Sequence, residues 1–168
     1  MNYADLKKEL DHVDHLVNEM NRIAPAGDSA NILVRGELSG LLLVAMCAIY
    51  ENMVKQIMIE YADSIHCDFS YYIESKHKRL SSKITRSDLE GYLKLFSLNK
   101  EKAFKKELAR AQKYLSNIHP NEKYQPLLDW RHSYAHSRTP LTTIEEAYKH
   151  HRYAKIMLYA FNRAIECP

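Results

Sequence analysis

The sequence predicts an all-α fold in which two long core helices pack together with several shorter helices. Only four Gly and five Pro occur among 168 residues, and this scarcity favours long uninterrupted helices over a turn-rich β fold. Apolar residues recur at spacings of three and four in most segments, which is the period of an amphipathic helix. The length is that of one ordinary domain. We therefore expect a single domain over residues 1–168, with an N-terminal helix and connection at 1–28 and a helical core at 30–166.

The first two helices are predicted at residues 2–24 and at about 30–62, separated by a break at 25–28 that contains Pro and Gly. The second helix is apolar on most sides over residues 38–50, so we expect it to be the central helix of the bundle. This apolar run is too short to cross a bilayer, which needs about 20 residues. We therefore expect a buried helix and no membrane partner.

Five further helices complete the predicted order, at residues 69–80, 88–96, 100–118, 122–135 and 144–166. Ser87 is the expected N-cap of the second of these helices. Thr143 and Glu146 form a capping-box pattern at the start of the last one. We expect the last helix and the helix at 30–62 to be the two long core helices, roughly antiparallel to each other.

Three cysteines, an odd number without the spacing of a metal site, argue against a disulfide framework. Cys47 lies in an apolar run and is expected to be a core residue. The N-terminal segment lacks the apolar stretch of a signal peptide. These features favour a reducing, cytoplasmic location.

Charge is distributed unevenly along the chain, although the net charge is only +3. Residues 1–75 hold 5 Lys and Arg against 12 Asp and Glu, whereas residues 76–113 hold 12 against 4. The basic segment is a candidate surface for a polyanion such as RNA. Its candidate RNA-binding side chains are Lys78, Arg79, Lys105 and Lys106. The alternative, which the pattern favours equally, is a solvated helical face without a ligand.

Residues 129–138 concentrate the chemistry of the chain, with two arginines, two histidines and the only tryptophan. Arg131 can hold a phosphate through its planar fork of donors. His136 can give or take a proton near neutral pH. Together these side chains could cleave a phosphodiester without a metal or a cofactor. On an ideal helix they stand about 140° apart, so they converge on one phosphate only if the helix ends near His136 or a second copy supplies the partner.

The segment 131–136, Arg-His-Ser-Tyr-Ala-His, resembles the motif of the HEPN superfamily, in which Arg and a polar residue are followed by three to five further residues and His. The resemblance extends over roughly residues 32–166 and is closest to the RiboL-PSP-HEPN type. It includes the Ala before His136, a Pro shortly beyond it, and Glu51 within the earlier apolar helix.

This resemblance implies an HEPN-like helical bundle with the activity of a metal-independent endoribonuclease. The implied biology is a prokaryotic toxin or an antiviral defence enzyme, with RNA as substrate and 2′,3′-cyclic phosphate products. It also implies a homodimer in which two copies of Arg131 and His136 face one shared cleft. An antitoxin or regulatory protein would be a further partner.

In this interpretation Arg131 and His136 are the catalytic pair. His132 orients Arg131, binds RNA or serves as a second proton carrier. Glu51 is an acid on an apolar stripe and needs a partner, because an unpaired buried charge is costly. We expect it to contact Arg131 or a catalytic histidine. The alternative is a purely structural role, with a backbone group or a tyrosine as its partner.

Ser137 and Arg138 follow the motif directly and are candidate RNA contacts. Arg138 also occupies the position at which a related group, one that carries an antitoxin nucleotidyltransferase, has a tyrosine. Control by modification of a tyrosine at this position is therefore not supported. Arg138 instead adds positive charge beside the motif.

Three other interpretations remain open at this point. The first is a non-catalytic HEPN module that binds nucleotide, RNA or a partner protein. The second is a zinc site at His132 and His136, which are four residues apart, although no third ligand stands near and Glu does not follow His132 as it does in metalloproteases. The third is a structural role in which Arg131 and His136 only tie helix ends together. We expect neither a metal nor a cofactor.

Overall fold

The computed structural model describes residues 1–77 and 84–167, and in these ranges the regular secondary structure is entirely helical. The helices are α1 (Tyr3–Ile23), α2 (Ile32–Ile65), α3 (Cys67–Lys76), α4 (Arg86–Phe96), α5 (Leu98–Tyr114), α6 (Pro120–Ser137) and α7 (Ile144–Glu166). A short 3-10 turn, Ser29–Asn31, precedes α2. The prediction of an all-α bundle is therefore confirmed, and α2 and α7 are its two longest helices.

One hydrophobic core contains residues from all seven helices. Helix α2 is central to it and packs against α1, α3, α6 and α7. Burial is nevertheless one-sided, because Leu33, Leu41 and Ala48 are exposed. By length and composition α2 could cross a membrane, a test that core helices of soluble proteins also pass, and 33% of its most apolar 18-residue window is buried within the fold. The prediction that residues 38–50 form a buried helix therefore holds for one side only.

Most differences from the predicted helices lie at their ends. The expected Ser87 cap of α4 is wrong, because Thr85 and Asp88 form a capping box that pairs two free backbone N–H groups. Helix α5 ends at Tyr114, before 118, since Ser116 and Asn117 adopt positive φ. The predicted helix at 69–80 begins at 67, and its last three positions lie outside the described residues.

Helix α7 begins and ends as predicted. The Thr143 hydroxyl caps its start by accepting the Glu146 N–H, but the return bond of the predicted capping box, from the Thr143 N–H to the Glu146 carboxylate, is not formed. A buried histidine fixes its position relative to two other helices. His151 accepts the Tyr50 hydroxyl on α2 at 2.6 Å, and its Nε2 donates to the Leu10 carbonyl on α1 at 3.3 Å. Burial lowers the pKa of His151 to about 4, so its ring is neutral at neutral pH.

Candidate active site

Helix α6 carries the residues that the sequence singles out, and its packing decides which way each of them faces. Its buried side chains recur at helical spacing: Tyr124, Leu127, Leu128 and Tyr134. Arg131 falls within this stripe, three residues before Tyr134. His132 and His136 lie on the exposed side. The helix therefore turns Arg131 toward the core and both histidines toward solvent.

Arg131 is half-buried, and its Nε is fully enclosed without a hydrogen-bond partner. The guanidinium lies close to Cys47 on α2. Burial raises the pKa of the Cys47 thiol to about 12, while the Arg131 charge acts in the opposite direction and Glu51 adds to the rise. Within residues 1–77 and 84–167 no carboxylate forms an ion pair with Arg131. The other guanidinium nitrogens of Arg131 form no hydrogen bond to a described residue, so their donors can serve a ligand.

The predicted direct contact of Glu51 is not made. Glu51 and Arg131 both act on Cys47, but no hydrogen bond or ion pair joins Glu51 to Arg131 or His132 in the part of the chain that is described. Glu51 is only half-buried, so water can still reach its carboxylate. The contact had been predicted because a buried carboxylate needs a partner, and a partly exposed carboxylate does not.

His132 and His136 lie one turn apart on the exposed side of α6. Their ring centroids are 4.4 Å apart, with the rings tilted by 62°. Neither imidazole forms a hydrogen bond to another described residue. Both rings are therefore open to a ligand. Because the helix continues through His136 to Ser137, Arg131 and His136 stand about 140° apart around its axis.

The C-terminal half of α6 is seated on α2 by an unusually close approach. The Tyr134 ring lies directly over Gly40, where an added Cβ would come within 2.1 Å of ring carbon Cε2. The Tyr134 hydroxyl donates to Glu37 at 2.9 Å, and this bond raises the pKa of the tyrosine. Pro140, beyond the helix, packs on Gly36, where an added Cβ would lie 3.4 Å from the Cγ atom of the proline ring. Residues 134–140 therefore run beside residues 36–40.

Ser137 and Arg138, two of the residues predicted to bind RNA, form the C-terminal end of α6. Arg138 is the C-cap and adopts the left-handed conformation, with φ 52°, while its N–H donates to the Tyr134 carbonyl. The Ser137 hydroxyl donates to the Ser133 carbonyl at 2.8 Å and accepts the Thr139 N–H. Both side chains are exposed beside the histidines. A left-handed position usually carries Gly, so an arginine there is conformationally costly.

Comparison with models of known protein families identifies the family of this chain. A family model described as RiboL-PSP-HEPN matches residues 2–166. The chain belongs to the RiboL-PSP-HEPN family. The match includes α1, which lies outside the region where the motif had suggested a resemblance. Comparison with curated proteins and with solved structures finds no match.

Two of the other predicted RNA-binding residues of this HEPN domain, Lys105 and Lys106, lie on α5. Lys105 forms ion pairs with Glu101 at 2.6 Å and with Glu90 at 3.5 Å. It borders the same surface depression as Gln125, which is about 16 Å along α6 from His136. Lys106 is exposed on the same helix as Lys105. Lys78 and Arg79 lie outside the described residues.

The metal interpretation of His132 and His136 gains no third ligand from the described residues. Among the described residues, the group that could hold a metal consists of His66, Cys67 and Asp68. These three residues are exposed at the junction of α2 and α3, away from His132 and His136. Its His66 Nδ1 already accepts the Asp68 N–H as a helix cap. Neither set therefore resembles a four-ligand zinc site.

Two residues that contact the motif segment, His150 and Glu37, were not predicted from the sequence. Trp130 stacks on His150 of α7, with centroids 4.9 Å apart and an angle of 18° between the rings. Glu37 accepts the Tyr134 hydroxyl. Glycines at 36 and 40, four apart in a long apolar helix, were the available signal, since such spacing allows another segment to approach closely.

Proposed function

We propose that this HEPN domain is a metal-independent endoribonuclease whose chemistry resides on α6. The observation that carries the proposal is that the half-buried Arg131 lies on the same helix as the exposed His132 and His136. Arg131 supplies positive charge and donors for a phosphate, and the histidines supply groups that exchange protons near neutral pH. Membership of the family supports the proposal, because HEPN domains are often ribonucleases.

In the proposed reaction the RNA supplies its own nucleophile. A histidine base removes the proton from the 2′-hydroxyl, and the 2′-oxygen forms a bond to the adjacent phosphorus. The bond from phosphorus to the 5′-oxygen breaks, and a protonated histidine donates a proton to that leaving oxygen. The products are a 2′,3′-cyclic phosphate and a 5′-hydroxyl. Each positioned proton transfer contributes about 10²–10⁴-fold, and Arg131 offsets the charge that develops on the phosphate oxygens.

A single chain does not bring these groups together, and this leads us to propose a homodimer. Arg131 faces inward and His136 faces outward on one continuous helix, about 140° apart. A second copy related by a two-fold axis could place its own histidines opposite the first Arg131. The exposed apolar residues beside the motif are a suitable contact surface for that copy: Leu33, Leu41 and Leu141.

We further propose that Arg138 and Ser137 contact RNA beside the cleft, since both are exposed next to His136. His132 is the second proton carrier in this scheme. A reducing cytoplasm is the location that we propose for this activity. A toxin or an antiviral enzyme of prokaryotes is the biology that such an activity would serve.

The test is cleavage of labelled RNA by the wild type, Arg131→Ala and His136→Ala. We expect both variants to lose cleavage and to keep the helical circular dichroism of the wild type, while EDTA has no effect and DNA of the same sequence survives. Arg22→Ala and His15→Ala, on the surface of α1, are matched controls and should retain activity. Full activity of His136→Ala would overturn the mechanism.

The same experiment separates a second candidate function, a non-catalytic module that binds a partner protein. The exposed apolar side of α2 favours this candidate, because such a surface suits an antitoxin or regulatory protein as well as a second copy. In that case the wild type would cleave no RNA in any buffer. A concentration-independent monomer mass would remove the argument for a composite site.

A further inference from the structure

The junction of α2 and α3 gathers an imidazole, a thiol and a carboxylate at one point of the surface. Helix α2 ends at Ile65 and α3 begins at Cys67, so His66 is the one residue between the two helices. Its backbone is extended, with φ −167° and ψ 140°. The ligand atoms of His66, Cys67 and Asp68 all lie within 4.8 Å of one another. The sequence shows no zinc motif here, because the three side chains come from consecutive residues and not from separated pairs.

The separations of the ligand atoms are close to those around a tetrahedral zinc ion. The Cys67 sulfur lies 3.9 Å from the His66 Nδ1 and 4.0 Å from the Asp68 Oδ1. The His66 Nδ1 lies 3.7 Å from the other oxygen of Asp68. Zinc bonds of about 2.3 Å to sulfur and about 2.0–2.2 Å to nitrogen and oxygen put tetrahedral ligand atoms about 3.4–3.6 Å apart. Small side-chain shifts and a rotation of the carboxylate therefore close the three groups on one ion.

The chemical types of the three side chains select among metals. Thiolate, imidazole and carboxylate are the three side-chain ligands of zinc sites, whereas Ca²⁺ and Mg²⁺ take oxygen ligands. All three residues are exposed, so an ion reaches them from solvent without any opening of the fold. Three protein ligands leave the fourth position to water, as in zinc sites that are not closed.

The local charges and hydrogen bonds at the junction permit a cation. The His66 Nδ1 accepts the Asp68 N–H at 3.1 Å as the cap of α3, and an ion would take this lone pair. That N–H lies at an exposed helix start, so water can replace the cap. The negative end of the α2 dipole and the positive end of the α3 dipole meet at His66 and offset each other. The last turn of α2 contains Asp63 and no basic residue, so the nearby side-chain charge favours a cation.

This cluster is remote from the candidate active site. The motif helix contacts α2 at Gly40, and His66 lies about 39 Å farther along the axis of α2 at 1.5 Å per residue. An ion at the junction therefore takes no part in the chemistry proposed for α6.

We propose that His66, Cys67 and Asp68 bind one Zn²⁺ ion, with water in the fourth position, and that this ion ties the end of α2 to the start of α3. Cys67 binds as a thiolate, so its proton is released to the buffer when the ion binds. The site goes beyond the proposed ribonuclease activity and does not depend on it.

Calorimetric titration of zinc chloride into the reduced, metal-free full chain tests the proposal. We expect one ion per chain. Cys67→Ser and His66→Asn should each bind zinc at least about tenfold more weakly, since loss of even an outer-shell partner of a zinc ligand costs about 10–100-fold. Asparagine keeps a capping oxygen at position 66, so the helical circular dichroism should be unchanged. Cys167→Ser, which removes the other cysteine that is not buried, is the matched control and should bind as the wild type does.

Cobalt chloride supplies a spectroscopic readout of the same site. We expect Co²⁺ to give a near-ultraviolet band from charge transfer between thiolate and cobalt in the wild type and in Cys167→Ser, and no such band in Cys67→Ser.

Three results would overturn the proposal. They are the absence of both zinc binding and the cobalt band, equal zinc affinity of Cys67→Ser and the wild type, and loss of zinc binding in His132→Ala, which would place the ion on α6. Cys67→Ser should cleave RNA as the wild type does, and His136→Ala should bind zinc as the wild type does. Failure of the zinc site and failure of the proposed ribonuclease are therefore distinguishable.

Discussion

Replacement of Gly40 by alanine should detach the motif helix from α2. A Cβ at this position would lie 2.1–2.4 Å from three ring atoms of Tyr134, whereas carbon atoms normally approach to about 3.5–4.0 Å. The ring would have to move by more than about 1 Å, away from its hydrogen bond to Glu37. Such overpacking costs about 1–3 kcal/mol, and the lost hydrogen bond about 1 kcal/mol more.

Replacement of glycine by alanine within a helix usually has the opposite effect and raises the free energy of unfolding. Alanine in a helix interior is about 1 kcal/mol more favourable than glycine. We therefore expect a net loss of about 2 kcal/mol for Gly40→Ala, which lowers Tm by about 4–8 °C in a chain of this size. Gly91→Ala in α4 is the matched control, because an added Cβ meets nothing within 4 Å there. It should raise Tm by about 2–4 °C.

The assay is thermal unfolding followed by circular dichroism, together with RNA cleavage. The cleavage rate of Gly40→Ala should fall, because Arg131 and His136 move with the helix. A double-mutant cycle isolates the contact. In a Tyr134→Ala background the ring is absent, so Gly40→Ala should then stabilise the protein as Gly91→Ala does. If Gly40→Ala stabilised the protein with Tyr134 in place, the close packing would be refuted.

Two further predictions concern stability. Arg138→Gly should raise the free energy of unfolding by about 1 kcal/mol in urea titrations, because Arg138 is in the left-handed conformation that glycine adopts freely; a decrease would show that the arginine side chain stabilises the fold. The pKa of His151 is lowered to about 4 by burial, against about 6.5 when unfolded, so the unfolded chain binds the extra proton in between. Stability from this residue should be full above pH 6.5 and should fall by about 3 kcal/mol as the pH drops to 4; in His151→Gln that part of the decrease should vanish, and an identical pH profile would contradict the assignment.

The elements with strong local signals were predictable from sequence. Helix α7 follows a Thr143 cap and carries a long apolar stripe, and its predicted bounds are confirmed. The start of α6 was predicted two residues late because His119, an uncommon N-cap, caps it and Pro120 occupies the first helical position. Its end was predicted early because the cap is Arg138 and not glycine.

The list of candidate site residues stays a prediction, and the arrangement of these residues could not be predicted from the sequence. The stripe through Tyr124, Leu127 and Tyr134 would have placed Arg131 on the inner side, had it been extended through the motif. The partner of Glu51 could not be predicted, because sequence does not show whether a residue on an apolar stripe is fully or half-buried. The exposure of one side of α2 could not be predicted either, because an apolar helix has the same composition whether its own chain or another chain covers it.

The stack of Trp130 on His150 gives this protein a built-in optical reporter. Trp130 is the only tryptophan in the chain and lies next to Arg131, so indole fluorescence excited apart from the tyrosines originates at a single point on α6. Burial lowers the pKa of His150, so the neighbouring ring stays neutral at neutral pH and quenches less than a protonated imidazole. Displacement of α6, and the dimer formation and RNA binding that we propose, can therefore be followed without any label.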